Sequence, residues 1–357
     1  MPTATTAGRL EAASSALEQQ LRERLDRLTK PRGALGRLEH LAVQIGLRLG
    51  STQPQLREPQ VLVFAADHGL ADEGVSAYPK AVTAQMLANY LGGGAAINVL
   101  VRQHGLALTL VDAGVQGFVA PAASAGDARP RLLSRRLGEG TRNARLEPAM
   151  SRLQRDAALA YGRAVAAACL DAGSNALLLG EMGIGNTASA SLLLHRLSGW
   201  PLEACVGRGT GLDDAGLCRK TAVLAAASAR CPAPLSPAGA LAEFGGFEIA
   251  MLVGVLLEAA SRPCVIVVDG FTVTVAALLA EALAPGAAAA CVFSHRSAEG
   301  AHGRLLEHLG ARPLLDLELR LGEGSGAALA WPLLQSSLAL LAQMASFEAA
   351  GVSDRAD

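Results

Sequence analysis

One carboxylate set among three glycines, in the run Gly322-Glu323-Gly324-Ser325-Gly326, is the strongest chemical signal in this chain. Apolar sequence flanks it, with Leu314-Leu315-Asp316-Leu317-Glu318-Leu319 before it and a stretch of helical character at 327–343 after it. Glycines let a backbone turn tightly and approach a ligand closely. A glutamate held there is a candidate for a desolvated carboxylate of raised pKa, which is what a general base requires. A solvated glutamate in a helix-entry turn fits the same spacing.

A second run, Gly180-Glu181-Met182-Gly183-Ile184-Gly185-Asn186-Thr187, leads from an apolar segment at 176–179 into a helix. Free N–H groups, the helix dipole and a threonine hydroxyl together make an anion site. It lacks the third glycine of the dinucleotide fingerprint and the Gly-Lys-Ser/Thr of a Walker A loop, so a monophosphate suits it better than a triphosphate. Val206-Gly207-Arg208-Gly209-Thr210-Gly211 forms another glycine-rich turn. Lys220, one helical stretch later, adds a cation or is a solvated helix residue. Gly92-Gly93-Gly94 marks a helix break or a close ligand approach. His68 and His295 follow buried strands, where histidine is more often structural than catalytic. No Gly-x-Ser-x-Gly elbow occurs, which disfavours a serine hydrolase.

These residues need a scaffold. With 357 residues, 51% of them hydrophobic, the chain can bury one large core or two ordinary ones. Aromatics are only 3%, so Ala, Leu and Val must fill it and helices can pack closely. Apolar runs at 61–66, 106–111, 176–179, 264–268, 289–293 and 314–319 predict strands. Stretches near 10–28, 35–49, 82–104, 151–171, 187–197, 214–230, 240–260, 272–284 and 298–310 predict helices, while 117–145 reads as a loop. Continuous apolar strands alternating with helices predict an α/β fold, a mostly parallel sheet covered by helices on both faces. Four strands run into acid-and-glycine ends: Asp67-His68-Gly69, Asp112-Ala113-Gly114, Gly180-Glu181 and Asp269-Gly270. Ligands bind beyond such ends in open α/β sheets, although Asp-Gly is also ordinary turn chemistry.

Net charge is −1 with no basic tract, which argues against nucleic acid as a partner. No run of 18 uninterrupted apolar residues predicts a membrane span, and the N-terminus shows no signal peptide. The six cysteines form no Cys-x-x-Cys pair, as expected of buried free thiols in a reducing cytoplasm. The seven histidines show no metal-ligand spacing, so no metal site is expected.

Taken in order, TKPRGALGRLE (29–39), ADHGLADEGVSAYPKAVTAQM (66–86), LGGGAAIN (91–98), GEMGIGNTASA (180–190), GRGTGLDD (207–214), FGGFEIAMLVG (244–254), VVDGFTVTVAALLA (267–280), SHRSAEGAH (294–302) and LRLGEGSGAALAWPLL (319–334) carry a family likeness. The chain resembles the nicotinate-nucleotide–dimethylbenzimidazole phosphoribosyltransferase family of cobalamin lower-ligand synthesis. The resemblance implies a Rossmann-like domain over 55–325 and a smaller helical domain built from 1–54 plus 326–357, in a homodimer. It implies transfer of phosphoribosyl from nicotinate mononucleotide to 5,6-dimethylbenzimidazole, with no cofactor. Glu323 takes the place of the general base and Glu181 that of a second carboxylate. Gly183, Gly185, Asn186, Thr187, Gly209, Thr210, Lys220, Asp269 and Ser297 fall around the nucleotide. Pro79, Gln85, Met86 and Met182 fall around the acceptor base. A nucleotide-binding regulatory protein of this fold without turnover is the competing reading. A nicotinamide-dependent dehydrogenase is disfavoured by the missing third glycine and the missing acid about 20 residues on.

Overall fold

The strands divide their side chains between two separate cores. In β1 (Gln60–Ala66), Val61, Val63 and Ala65 join one core, while Leu62, Phe64 and Ala66 join the other. β4 (Ala176–Met182) and β5 (Val265–Val268) divide likewise, with Leu178 and Val267 on the first side and Leu179 and Val268 on the second. Burial on both faces explains why the sequence shows apolar runs rather than alternation. A computed structural model describes residues 6–120 and 130–353.

β1, β4 and β5 join β2 (Ala107–Gly114), β3 (Arg131–Ser134) and β6 (Cys291–Phe293) in a six-stranded, all-parallel sheet of order β3-β2-β1-β4-β5-β6. This is the doubly wound Rossmann order. Its winding reverses between β1 and β4, and the crevice beyond their carboxyl ends is where such sheets bind ligands.

Helices α5 (Arg152–Asp171), α6 (Asn186–Ser198), α7 (Asp214–Arg230), α8 (Pro237–Phe244), α9 (Phe247–Ala260), α10 (Phe271–Leu283) and α11 (His302–His308) contribute to one core. Helices α1 (Thr6–Asp26), α2 (Arg37–Leu49), α3 (Val82–Gly92), α4 (Ala96–His104) and α12 (Ser325–Gln343) contribute to the other. The two chain ends therefore meet over one sheet face, where α12 packs on α2. The expected end segments 1–5 and 354–357 lie outside the described residues. Small side chains permit close helix packing: a Cβ on Gly162 of α5 would lie 2.7 Å from the Met251 carbonyl carbon of α9. Among the described residues α12 alone has the length and mean hydropathy of a membrane span (1.3), and 56% of that window is buried inside the fold.

Four stretches differ from the sequence expectation. The helix expected over 82–104 is two helices, because Gly93 adopts a left-handed φ of 79° and caps α3. The helix expected over 240–260 breaks at Gly245-Gly246 between α8 and α9. The strand expected over 314–319 shrinks to β8 (Leu315–Asp316), which pairs with β7 (His295–Arg296). Glu318 has φ 55°, which no strand can continue through, and Leu317 is exposed. The loop expected over 117–145 contains β3, and its 121–129 portion lies outside the described residues.

Candidate active site

The turn at 322–326 lies directly on β4. Glu323 N donates to the Glu181 carbonyl oxygen at 3.2 Å. All three of Gly322, Glu323 and Gly324 hold left-handed φ angles, of 80°, 67° and 80°. Such a conformation is costly for a glutamate and is held here by its surroundings. Gly180 makes the contact possible, since a Cβ there would lie 2.6 Å from both the Glu323 carbonyl carbon and the Gly324 Cα. The turn is pinned from the other side by Asp269, at the end of β5. Its carboxylate accepts from Gly324 N at 3.0 Å and from Ala327 N at 3.1 Å, capping α12 from a distant part of the chain. His295 Nδ1 sits 3.8 Å from that carboxylate and 3.0 Å from Ser294 Oγ.

Three buried carboxyl groups, Glu181, Asp269 and Glu323, thus lie near enough around the turn to feel one another's charge. Burial pushes Glu323 up to about 7; Asp269 adds to that rise, and the nearby Tyr90 hydroxyl opposes it. The hydroxyl stands beside the carboxyl without closing a well-formed hydrogen bond, and Glu323 Oε2 has no partner among the described residues. Glu181 is raised well above the usual range by burial, then by Glu248, Asp269 and Glu323, while Asn186 Nδ2 donates to its Oε2. Asp269 is also raised by burial, against the pull of His295 and the backbone N–H groups.

A buried lysine–threonine pair stands next to this acidic centre, at the start of α6. Lys220 is fully buried on α7 and donates to Thr187 Oγ1 and to the Gly207 carbonyl, each at 3.0 Å. Burial pulls its ammonium down to about 8, partly offset by Glu299. Glu299 accepts from Gly209 N at 3.0 Å, which fixes the 207–211 loop over Thr187. Ser297 supports this arrangement: its Oγ accepts from Glu299 N at 3.2 Å, and its own N–H donates to His302 Nδ1 at 2.8 Å. Burial holds His302 down at about 3, so the ring is neutral and its proton is on Nε2, facing Thr274 Oγ1 at 2.9 Å.

The remaining residues form a rim. Thr210 Oγ1 reaches Ser76 Oγ at 3.0 Å and Ala77 N at 3.2 Å, which ties the 207–211 loop to the segment carrying Pro79. Pro79 and Gln85 are exposed, and no side-chain hydrogen bond fixes Gln85 among the described residues. Met86 and Met182 are half-buried against the core that contains Tyr90. Gly183 packs on the Ala66 carbonyl, and Gly185 lies against His68, so the anion turn rests on the end of β1.

Three of the four acid-and-glycine strand ends converge here. The fourth does not: Asp112 is spent on Gly114 N, Val115 N and the Arg136 guanidinium, the last at 2.8 Å. Sequence reasoning missed Tyr90, Glu248 and Glu299. Glu248 bonds His68 Nε2 at 2.6 Å, with Ser189 Oγ on the other ring nitrogen at 2.9 Å. A single acid in the apolar run FEIAMLVGVLL was a readable signal for Glu248; nothing in the sequence singles out Tyr90. A groove of about 480 Å³ lies elsewhere, between α1 and the 344–349 segment, and includes none of these residues. Among the described residues no three His, Cys, Asp or Glu side chains are grouped to hold a metal ion.

The chain matches known proteins along almost its whole length. A family described as Phosphoribosyltransferase matches residues 10–352. The nicotinate-nucleotide–dimethylbenzimidazole phosphoribosyltransferase of Variovorax paradoxus is 57% identical over 338 residues, covering 95% of this chain and 94% of that protein. The enzyme of the same name from Ralstonia nicotianae is 56% identical over 341 residues, covering 96% and 95%. The crystal structure of CobT from Thermus thermophilus superposes with a TM-score of 0.89 at 44% identity, covering 95% of this chain and 100% of that one. Sequence and fold agree, and the chain belongs to the nicotinate-nucleotide–dimethylbenzimidazole phosphoribosyltransferase family.

Proposed function

We propose that this enzyme transfers the 5-phosphoribosyl group of nicotinate mononucleotide to 5,6-dimethylbenzimidazole, with inversion at C1′ and with Glu323 as general base. The products are α-ribazole 5′-phosphate and nicotinate. The observation that carries this reading is the Glu323 carboxylate: buried, raised to about 7, with one unpaired oxygen, next to a lysine–threonine anion cradle.

The bond between C1′ and the pyridinium nitrogen breaks, and nicotinate leaves with the electron pair, so no acid is needed. An azole nitrogen bonds to C1′ from the opposite face, and the other azole nitrogen loses its proton to Glu323. Burial, with Glu248, Asp269 and Glu323 nearby, raises the pKa of Glu181 and so shifts it toward the neutral acid. That form donates a hydrogen bond to a ribose hydroxyl, which supports an orienting role over direct stabilisation of an oxocarbenium charge. Thr187, Lys220, Gly183, Gly185, Asn186 and Gly209 are assigned to the nucleotide. Asp269 and Ser297 hold the two loops, and Thr210 closes the rim. Met86, Met182, Pro79 and Gln85 are assigned to the flat acceptor ring.

The test mixes purified protein, the mononucleotide and a panel of aromatic bases, with products read by mass spectrometry. Nicotinate release should require an acceptor base and should persist in EDTA, because no pyrophosphate leaves and no metal clamp is called for. Mononucleotide binding without any product would favour the regulatory reading. Activity lost on chelation and restored by magnesium would refute the metal-free step.

Thr187→Val and Lys220→Ala should each weaken mononucleotide binding by roughly ten- to a hundredfold, the worth of one hydrogen bond to a charged group. Titration calorimetry giving unchanged affinity in both variants would remove this cradle from the nucleotide site.

We further assign the large domain to 55–325 and the helical domain to 1–54 plus 326–357, supported by the packing of α12 on α2. A cytoplasmic location is supported by six unpaired cysteines. A homodimer is supported by Leu317 and Leu321, each 56% exposed beside the catalytic turn. Sedimentation as a monomer would exclude it.

A further inference from the structure

In and beside the 322–326 turn, three buried polar atoms have no hydrogen-bond partner among the described residues: Glu323 Oε2, Ser325 Oγ and the Tyr90 hydroxyl. Tyr90 is the unexpected member. It is fully buried on α3, in the core that α3 shares with α12 and the sheet. Were packing its only role, phenylalanine would serve better, because a buried unpaired hydroxyl costs free energy. The hydroxyl stands beside the Glu323 carboxyl.

The chain fixes this ring from both ends of its helix. In the first turn of α3, Thr83 Oγ1 accepts from Ile184 N at 3.1 Å, tying the helix to the anion turn. At the other end the LGGGAAIN run closes on Tyr90 itself. Gly93 N donates to the Tyr90 carbonyl at 3.1 Å and Asn98 Nδ2 donates to it at 2.9 Å. Asn98 Oδ1 in turn accepts from Ala95 N at 3.1 Å. Gly93 thus helps to anchor the residue beside Glu323.

We propose that Tyr90 is a positioning residue for the transfer: its hydroxyl donates to the Glu323 carboxylate, leaving the other carboxylate oxygen free to meet the azole N–H. The proposal deepens the assignment of Glu323 as base and rests on it. Three groups face Glu323: Tyr90 from α3, Asp269 from the β5–α10 turn and Glu181 from β4. His295 reaches Asp269, and no lysine or arginine stands among them. Burial and Asp269 both work against charge on Glu323, and the phenol opposes them. Tyr90 remains a donor at working pH, because burial and then Glu323 push its own ionisation well above the usual value. A neutral donor is therefore what keeps the base ionised near neutrality.

Tyr90→Phe removes the oxygen and keeps the ring. Two readouts apply: the carboxyl-carbon NMR titration of Glu323, assigned by its loss in Glu323→Gln, and the pH dependence of turnover. Both midpoints should rise by about one to two pH units, which is a charged hydrogen bond expressed as a pKa shift. Turnover near neutral pH should fall roughly 5–50-fold and recover in alkali. 3-Fluorotyrosine at position 90, a stronger donor, should move both midpoints the other way. An unmoved carboxyl midpoint in folded Tyr90→Phe overturns the proposal, whatever the rate at the plateau. A carboxyl midpoint that moves while the rate profile stays still removes Glu323 from the chemistry, and the positioning role with it. Should Tyr90→Phe fail to fold, the fluorinated protein decides, and an unmoved midpoint there is equally fatal.

Discussion

Glu323→Gln is expected to lower turnover by about 10²–10⁴-fold, the usual worth of a positioned base, while the mononucleotide still binds. The amide keeps the shape of the side chain and removes its basicity. Binding survives because the contacts assigned to the nucleotide sit on Thr187, Lys220 and the 183–185 turn rather than on Glu323. The pH dependence has a definite sign. The base acts as carboxylate, and its pKa is raised to about 7, so wild-type turnover should fall as pH drops through about 7. In the variant that limb should vanish, and raising the pH should not restore activity. Glu181→Gln should be milder, since an amide can still donate to a ribose hydroxyl. The rival view is that Glu323 merely shapes its turn, where φ is 67°. Glutamine adopts the same turn at similar cost, so that view requires near-normal turnover. A rate within about threefold of wild type, well short of a missing base, would decide for the rival.

How much of this was legible in the sequence depended on where the information was local. The apolar runs of β1, β4 and β5 were readable because both faces of a parallel sheet are buried, so each strand is apolar throughout. The 314–319 run misled for a related reason: its leucines look like a buried strand, yet Leu317 is exposed and Glu318 turns the chain. The break at Gly245-Gly246 was hidden in a stretch of good helical pattern, whereas Gly92-Gly93-Gly94 offered a helix break as one of its two readings. Glu323, Glu181 and Lys220 could be picked out because glycine-rich turns announce themselves. Asp112 looked equally functional from its Asp-Ala-Gly context, but its role is decided by Arg136, which lies 24 positions away. Tyr90 was invisible because nothing local marks a core tyrosine as facing a carboxylate. That contact exists only once α3 and the 322–326 turn are brought together by the sheet.

Gly180→Ala should cost about 10²-fold or more in turnover, the penalty typical of moving a catalytic group by about 1 Å. Gly180 lies within β4, far from Glu323 along the chain but against it in space. Its missing side chain is the room the 322–326 turn occupies. A Cβ there would lie 2.6 Å from the Glu323 carbonyl carbon and from Gly324 Cα, and it would also meet Gly324 N. All of these are backbone atoms, so no side chain can swing aside to relieve the clash. Either the turn lifts from the sheet or β4 bends. Lifting the turn strains the Glu323 N–H bond to the Glu181 carbonyl and the Asp269 bonds to Gly324 and Ala327. Glu323 then loses its place relative to C1′, while the Lys220–Thr187 cradle is untouched. Mononucleotide affinity by calorimetry should stay within a few-fold of wild type, and the melting temperature should drop, as overpacking a core typically costs about 1–3 kcal/mol. Gly92→Ala is the control, because a Cβ there meets nothing within 4 Å and the backbone is helical. Full turnover in Gly180→Ala, with the control also active, would mean that the turn does not depend on its seat against β4. The close approach would then be incidental to catalysis.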